Sequence, residues 1–128
     1  MSVKDSIAKL LVDGDFTSCF TKPVSALLCE EPIVVSEGAF ERESRQAEEE
    51  RGTVTAAVLV VREDAAEAGH VALLAEQTIR RADWEPYADA FPYRIVGVDT
   101  TVPACEGDDG SGRSVWSFKV VCTVVREL

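Results

Sequence analysis

The stretch that decides the fold is Thr53-Val54-Thr55-Ala56-Ala57-Val58-Leu59-Val60-Val61-Arg62. Its β-branched residues suit a pleated strand, and apolar side chains fall on both of its alternating faces. A strand half in water would keep one face polar, so the pattern predicts a central strand covered on each side. Directly after it, Asp64 with Glu67 three residues later makes a capping box of the Asp-x-x-Glu kind and starts a helix that runs to Arg81. Val71, Leu74, Ala75, Thr78 and Ile79 form the expected core stripe of that helix, and Arg80-Arg81 sit at the negative end of its dipole.

Upstream, residues 41–51 carry no apolar anchor except Ala47, so this segment is expected to be solvated as a hairpin tip or mobile arm. Before it, Pro32 marks the start of a strand over Ile33-Val34-Val35, which Gly38 and Phe40 extend through a bulge. Residues 15–31 fit no single pattern: Phe16 and Phe20 lie one helical turn apart, Lys22-Pro23 interrupts, and residues 24–28 suit either a turn of helix or a strand. At the N-terminus, Ile7, Leu10 and Leu11 between Ser6 and Gly14 predict a short helix with Gly14 as its left-handed cap.

Downstream, residues 84–93 combine two prolines, which forbid regular structure, with the aromatics Trp84, Tyr87, Phe91 and Tyr93, which demand burial or a partner. Residues 93–102 then read as a strand, 106–112 as a flexible acidic turn, and 115–125 as a long strand. In the last, Trp116, Phe118, Val120, Cys122 and Val124 share one face, and Ser117, Lys119, Val121, Thr123 and Val125 the other. The two strands are expected to pair as an antiparallel hairpin. The order predicts one α+β domain over residues 1–128, with 1–31 as N-terminal helix and connector and 32–128 as core. Its sheet is expected to be four-stranded and mainly antiparallel, with one long helix packed across it and a short N-terminal helix.

Composition supports a folded domain: 128 residues, 46% hydrophobic and 28% charged, are typical of a globular chain with one core. A net charge of -10 repels phosphate backbones and anionic membranes, so neither specific nucleic-acid binding nor membrane association is expected. No run approaches the ~20 apolar residues that cross a bilayer. Cys19, Cys29, Cys105 and Cys122 form no C-x-x-C pair and read as reduced cytosolic thiols.

Catalytic chemistry finds no foothold. His70 is the single histidine and lies among Ala66, Leu73 and Leu74 of the helix, which reads as a structural role rather than that of a general base. Glu48-Glu49-Glu50 and Asp108-Asp109 lack the apolar surroundings that shift a carboxyl pKa. Gly107, Gly110 and Gly112 are not followed by the Gly-Lys-Ser/Thr of a phosphate loop, and Glu106, Asp108 and Asp109 lack the EF-hand spacing. No enzyme activity, cofactor or metal is expected.

The C-terminal half has a recognisable texture: a strand ending Val60-Val61-Arg62-Glu63, a capped helix, an aromatic linker, Tyr93-Arg94-Ile95-Val96-Gly97-Val98, the turn Asp108-Asp109-Gly110-Ser111-Gly112-Arg113, then Trp116-Ser117-Phe118-Lys119-Val120-Val121. Over about residues 32–128 it resembles the tail-completion, or tail-terminator, proteins of long-tailed bacteriophages and prophages, a class of minor tail proteins. The resemblance implies a non-enzymatic virion structural protein with an α/β fold, made in the bacterial cytoplasm. It would form a homo-oligomeric ring, commonly hexameric, at the head–tail junction beside other tail or connector proteins. Within that ring the unpaired sheet edges and the aromatic loop with Trp84, Tyr87, Phe91 and Tyr93 are expected to join subunits, and the resemblance gives Glu41, Glu43, Glu48, Glu49, Glu50, Asp108 and Asp109 the role of acidic groups that keep passing DNA from sticking. The alternative from another class is an acidic inhibitor that imitates DNA, which would spread carboxylates over one rigid face instead of two loops.

Overall fold

The computed structural model describes residues 2–25 and 29–127; part of the ambiguous stretch 24–28 therefore lies outside the described residues. At the centre, strands β4 (Glu49–Arg62) and β8 (Ser114–Glu127) pair antiparallel without a break, from Glu49 opposite Glu127 to Arg62 opposite Ser114. Each is 14 residues long, so the ladder extends about 46 Å at ~3.3 Å per residue. Among the described residues no other strand has that length, and the flanking lanes are shared. The outer edge of β4 takes β2 (Ile33–Glu37) at one end and β3 (Glu41–Arg45) at the other. The outer edge of β8 takes β6 (Tyr93–Thr100) and β7 (Ala104–Asp108). Two-residue strands finish the sheet: β1 (Cys19–Phe20) lies parallel to β2, and β5 (Asp89–Ala90) antiparallel to β6.

The sheet is thus eight-stranded, mixed and curled, which corrects the expectation of four strands under one long helix. The four expected strands are present as β2, β4, β8 and β6, and β6 does pair antiparallel with β8. The added strands are hidden from sequence for a physical reason. Residues 41–45 and 104–108 are exposed throughout, so they carry no burial pattern. An outer lane needs only the free N–H and C=O groups of the long central strands, and these are available along their whole length. Residues 41–51, expected as a solvated arm, accordingly supply β3 and the start of β4.

Burial alternates along β4: Val54, Ala56, Val58 and Val60 are fully enclosed, with Val120, Cys122, Val124 and Phe118 beside them on β8 and Ile33 and Val35 on β2. Helices α1 (Val3–Asp13) and α2 (Ala65–Arg81) cover this face through Val3, Ile7, Leu10 and Leu11 and through Ala72, Ala75 and Ile79. The expected stripe of α2 is turned: Ala68, Gly69, Ala72, Ala75, Glu76 and Ile79 face inward, while Leu74 is 43% exposed. Small residues win because the backbone lies close to the sheet. A Cβ on Gly69 would stand 3.0 Å from the Trp116 ring. Asp64 caps α2 as expected, its carboxylate accepting from the N–H groups of Ala66 and Glu67, but the reciprocal bond that would complete the box is not made: the Glu67 carboxylate turns to Arg62 at 3.8 Å.

Helix α1 ends one residue later than expected. Gly14 has φ -86, and Asp15, at φ 70, takes the left-handed position. The Phe16 N–H donates to Leu11 O and the Asp15 N–H to Val12 O, a Schellman closure. Gly14 answers a different need, since a Cβ there would meet Thr78 Cγ2 of α2 at 3.1 Å.

Beyond the helices, the packed face is roofed by side chains. Phe40 stacks on Tyr93 with ring centroids 5.3 Å apart, and the Arg126 guanidinium lies 4.8 Å from the Phe40 centroid. Arg126 also pairs at 2.8 Å with Glu50, which is 7% exposed. Gly52 makes room for this roof: a Cβ would approach the Phe40 ring to 2.7 Å and Glu41 O to 2.1 Å.

Candidate functional site

The aromatic segment 84–93 divides. Trp84 donates from its indole N–H to Ile79 O at 2.9 Å and packs edge-on to Tyr87 at 6.2 Å, closing the end of α2 over the core. The Tyr87 hydroxyl donates to Asp13 at 2.7 Å, which ties this segment to α1 and raises the Tyr87 pKa through that hydrogen bond. Tyr93 sits in the roof beside Phe40. Phe91 alone is presented to solvent, 84% exposed, next to a cis Phe91–Pro92 peptide. Of the other three, Tyr93 lines the same groove as Phe91, while Trp84 and Tyr87 pack towards α2 and α1.

The acidic residues also differ in setting. Glu41, Glu43 and Glu48 are exposed, Glu49 is half-buried, and Glu50 belongs to the roof. They interleave with Arg42, Arg45 and Arg51, so residues 41–51 hold five glutamates against three arginines. That mixture does not make the continuous carboxylate surface of a DNA imitation. Asp108 and Asp109 stand at the opposite end of the ladder, where β7 meets the start of β8. Asp109 accepts from the Ser111 N–H at 3.0 Å and pairs with Arg113, and the Ser111 hydrogen bond leads in lowering its pKa to about 2. Asp108 accepts from the N–H groups of Gly110 and Gly112. The turn expected to be flexible is tied by its own carboxylates.

His70 points outward from α2, beside the exposed Leu73 and Leu74. Among the described residues, no three His, Cys, Asp or Glu side chains stand together as a metal site, and no helix is long and apolar enough to cross a membrane. The four cysteines are free; burial, aided by nearby Glu37, pushes the Cys122 thiol up to about 12.

What remains is a surface. On the face of the sheet away from the helices, Val34, Thr55, Ala57, Leu59, Val121, Thr123 and Val125 are only half-buried, and no described helix or strand packs on them. The expectation that residues 53–62 are covered on both faces therefore holds for one face of the isolated chain. At the end of this open face, Arg51, Arg94, Val96 and Val125 join Phe91 and Pro92 around an open groove of about 760 Å³. Arg51, Arg94, Val96 and Leu59 were not singled out from the sequence. The signal for Leu59 is the second apolar face of residues 53–62, and the other three lie outside that stretch.

The outer lanes, by contrast, are poor joining edges. Register shifts interrupt β3 between Arg42 and Ser44, β6 between Ile95 and Gly97, and β7 between Cys105 and Gly107. Bulges and charges of this kind hinder strand addition by another chain.

Neither a protein-family model nor a curated protein sequence matches the chain. A solved structure does: a chain from the virion of a native gene transfer agent particle, with TM-score 0.58 and 15% identity, covering 99% of this chain and 92% of that one. The two share a fold along nearly their whole lengths.

Proposed function

We propose that this chain is a non-enzymatic structural subunit of a phage-like particle, and within such a particle a tail-completion subunit that closes into a ring at the head–tail junction. The observation that carries the reading is the fold shared with the gene transfer agent chain over 99% of this chain and 92% of that one. The surface agrees in kind: a wide apolar sheet face and a projecting Phe91 suit a protein that works by contact. In a ring of such subunits the acidic ends face the DNA channel and discourage adhesion by like charge. Glu48 adjoins one end of the β4–β8 ladder and Glu41 stands opposite Thr53 near it, while Asp108 and Asp109 lie at the other end, about 30–45 Å away by strand rise. For both groups to meet the channel, the ladder must run along its axis.

Deleting the gene from a particle-producing host tests the role. The expected outcome is tails of irregular length, or tails and heads that fail to join, seen by negative-stain electron microscopy. Normal infectious or DNA-transferring particles from the deletion strain would refute it.

A further inference from the structure

We infer that the open face of the sheet receives the helical layer of a second copy of this chain, so that copies join head to tail. The inference rests on the proposed ring-forming role for its closure, and on the geometry of this chain for the contact itself.

Three observations lead to it. The first is the pattern of residues 53–62, in which Thr55, Ala57 and Leu59 alternate with Ala56, Val58 and Val60; the sequence is written for cover on both faces, and the chain itself covers one. The second is area. Four lanes at ~4.8 Å spacing and a ladder of about 46 Å give a face of roughly 900 Å², close to the ~800 Å² each partner gives to a specific interface. The third is a counter-surface on the opposite side of the molecule. Val12 of α1 and Leu73 and Leu74 of α2 are 53%, 46% and 43% exposed, and His70 stands beside the leucines.

Charge is mixed on both surfaces: Lys119 has no ion pair among the described residues but shares the open face with the exposed Asp99, opposite Val121, and Glu67 on α2 pairs with Arg62 at 3.8 Å. The contact therefore rests on apolar cover and area. Because the two patches point in opposite directions, the contact is heterologous, and such contacts continue into a ring or filament instead of stopping at a two-fold dimer.

The test is self-association of the full chain with one-sided variants. Thr55→Arg with Thr123→Arg spoils the sheet side at threonines that tolerate a longer side chain; Leu73→Glu with Leu74→Glu spoils the helix side. Circular dichroism and melting temperature establish that each is folded. Light scattering up to about 1 mM should show the wild type associating and each variant at least tenfold weaker. A mixture of the two variants should form one-to-one dimers and nothing larger, because each retains the side the other has lost. A wild type monomeric throughout, variants that associate like wild type, or a mixture that stays monomeric overturns the inference; a two-fold dimer unaffected by either variant does so as well. Failure here is separable from failure of the proposed role: if the gene is required for particles but both variants support them, the contact is wrong and the role stands.

Discussion

The two faces of the β4–β8 ladder are built from the same strands, and they differ in what covers them. On one, Val58 and Phe118 stand opposite each other beneath two helices and are closed to water. On the other, Leu59 and Ser117 stand opposite each other one residue further along, half-buried. The backbone treats the two rows alike. Burial free energy therefore accumulates on one side only, and the apolar content of the other side is available for association.

Truncation in the core should give the largest effect. Phe118→Ala is expected to cost about 3–5 kcal/mol, whereas Leu59→Ala on the open face should cost about 1 kcal/mol in the monomer. Urea unfolding of both proteins measures the gap; equal losses would mean that the open face is already packed.

The thiols separate the packed face from the outer lanes chemically. Cys122 lies inside with its pKa raised to about 12, and Cys105 is exposed on β7. A shift from 9.0 to about 12 lowers the thiolate fraction on the order of a thousandfold, so Cys105 should react with an aromatic disulfide reagent at pH 8 while Cys122 waits for unfolding. The sign of the linkage follows: the protonated thiol is favoured by folding, so its contribution is full below pH 9 and is lost as pH rises towards 12. Rapid native labelling of Cys122 would place it outside the core.

Gly52→Ala probes the roof between the two regions. The added Cβ meets a backbone oxygen as well as the Phe40 ring, so the substitution should cost about 1–3 kcal/mol and loosen β3 while leaving the helix-covered core intact. Hydrogen exchange should show faster amides at residues 41–45 and unchanged ones in α2. Uniform change across both would show that the roof and the core unfold together.

The smallest effect belongs to the turn at Asp109. Its lowered pKa favours the carboxylate in the folded turn, so that support is complete above pH 3.8 and is lost as pH falls towards 2. Asp109→Asn should speed exchange at Ser111 and Arg113 with no measurable change in melting temperature. A large fall in stability would mean that the turn is coupled to the core.

Much of the framework was legible in residues 33–35, 53–62, 64–81 and 115–125, because β-branched runs, an N-cap aspartate and alternation report local geometry directly. The charged outer strands were illegible for the converse reason: residues 41–45 and 104–108 bury no side chain, and their structure comes from hydrogen bonds offered by β4 and β8, far away in sequence. The aromatic segment shows the same division at a single site. Its composition required that Trp84, Tyr87, Phe91 and Tyr93 find partners, and only the tertiary structure assigned Ile79, Asp13 and Phe40 to three of them and left Phe91 in water.

The sequence by itself determined that the chain folds, which strands form its centre, and that residues 53–62 seek cover on both sides, since these follow from side-chain chemistry at neighbouring positions. Tertiary structure alone decided which face the helices occupy and which is left open. That choice depends on the small residues Gly69, Ala72 and Ala75 letting α2 approach one side of the sheet closely, a fit between surfaces that no local pattern encodes.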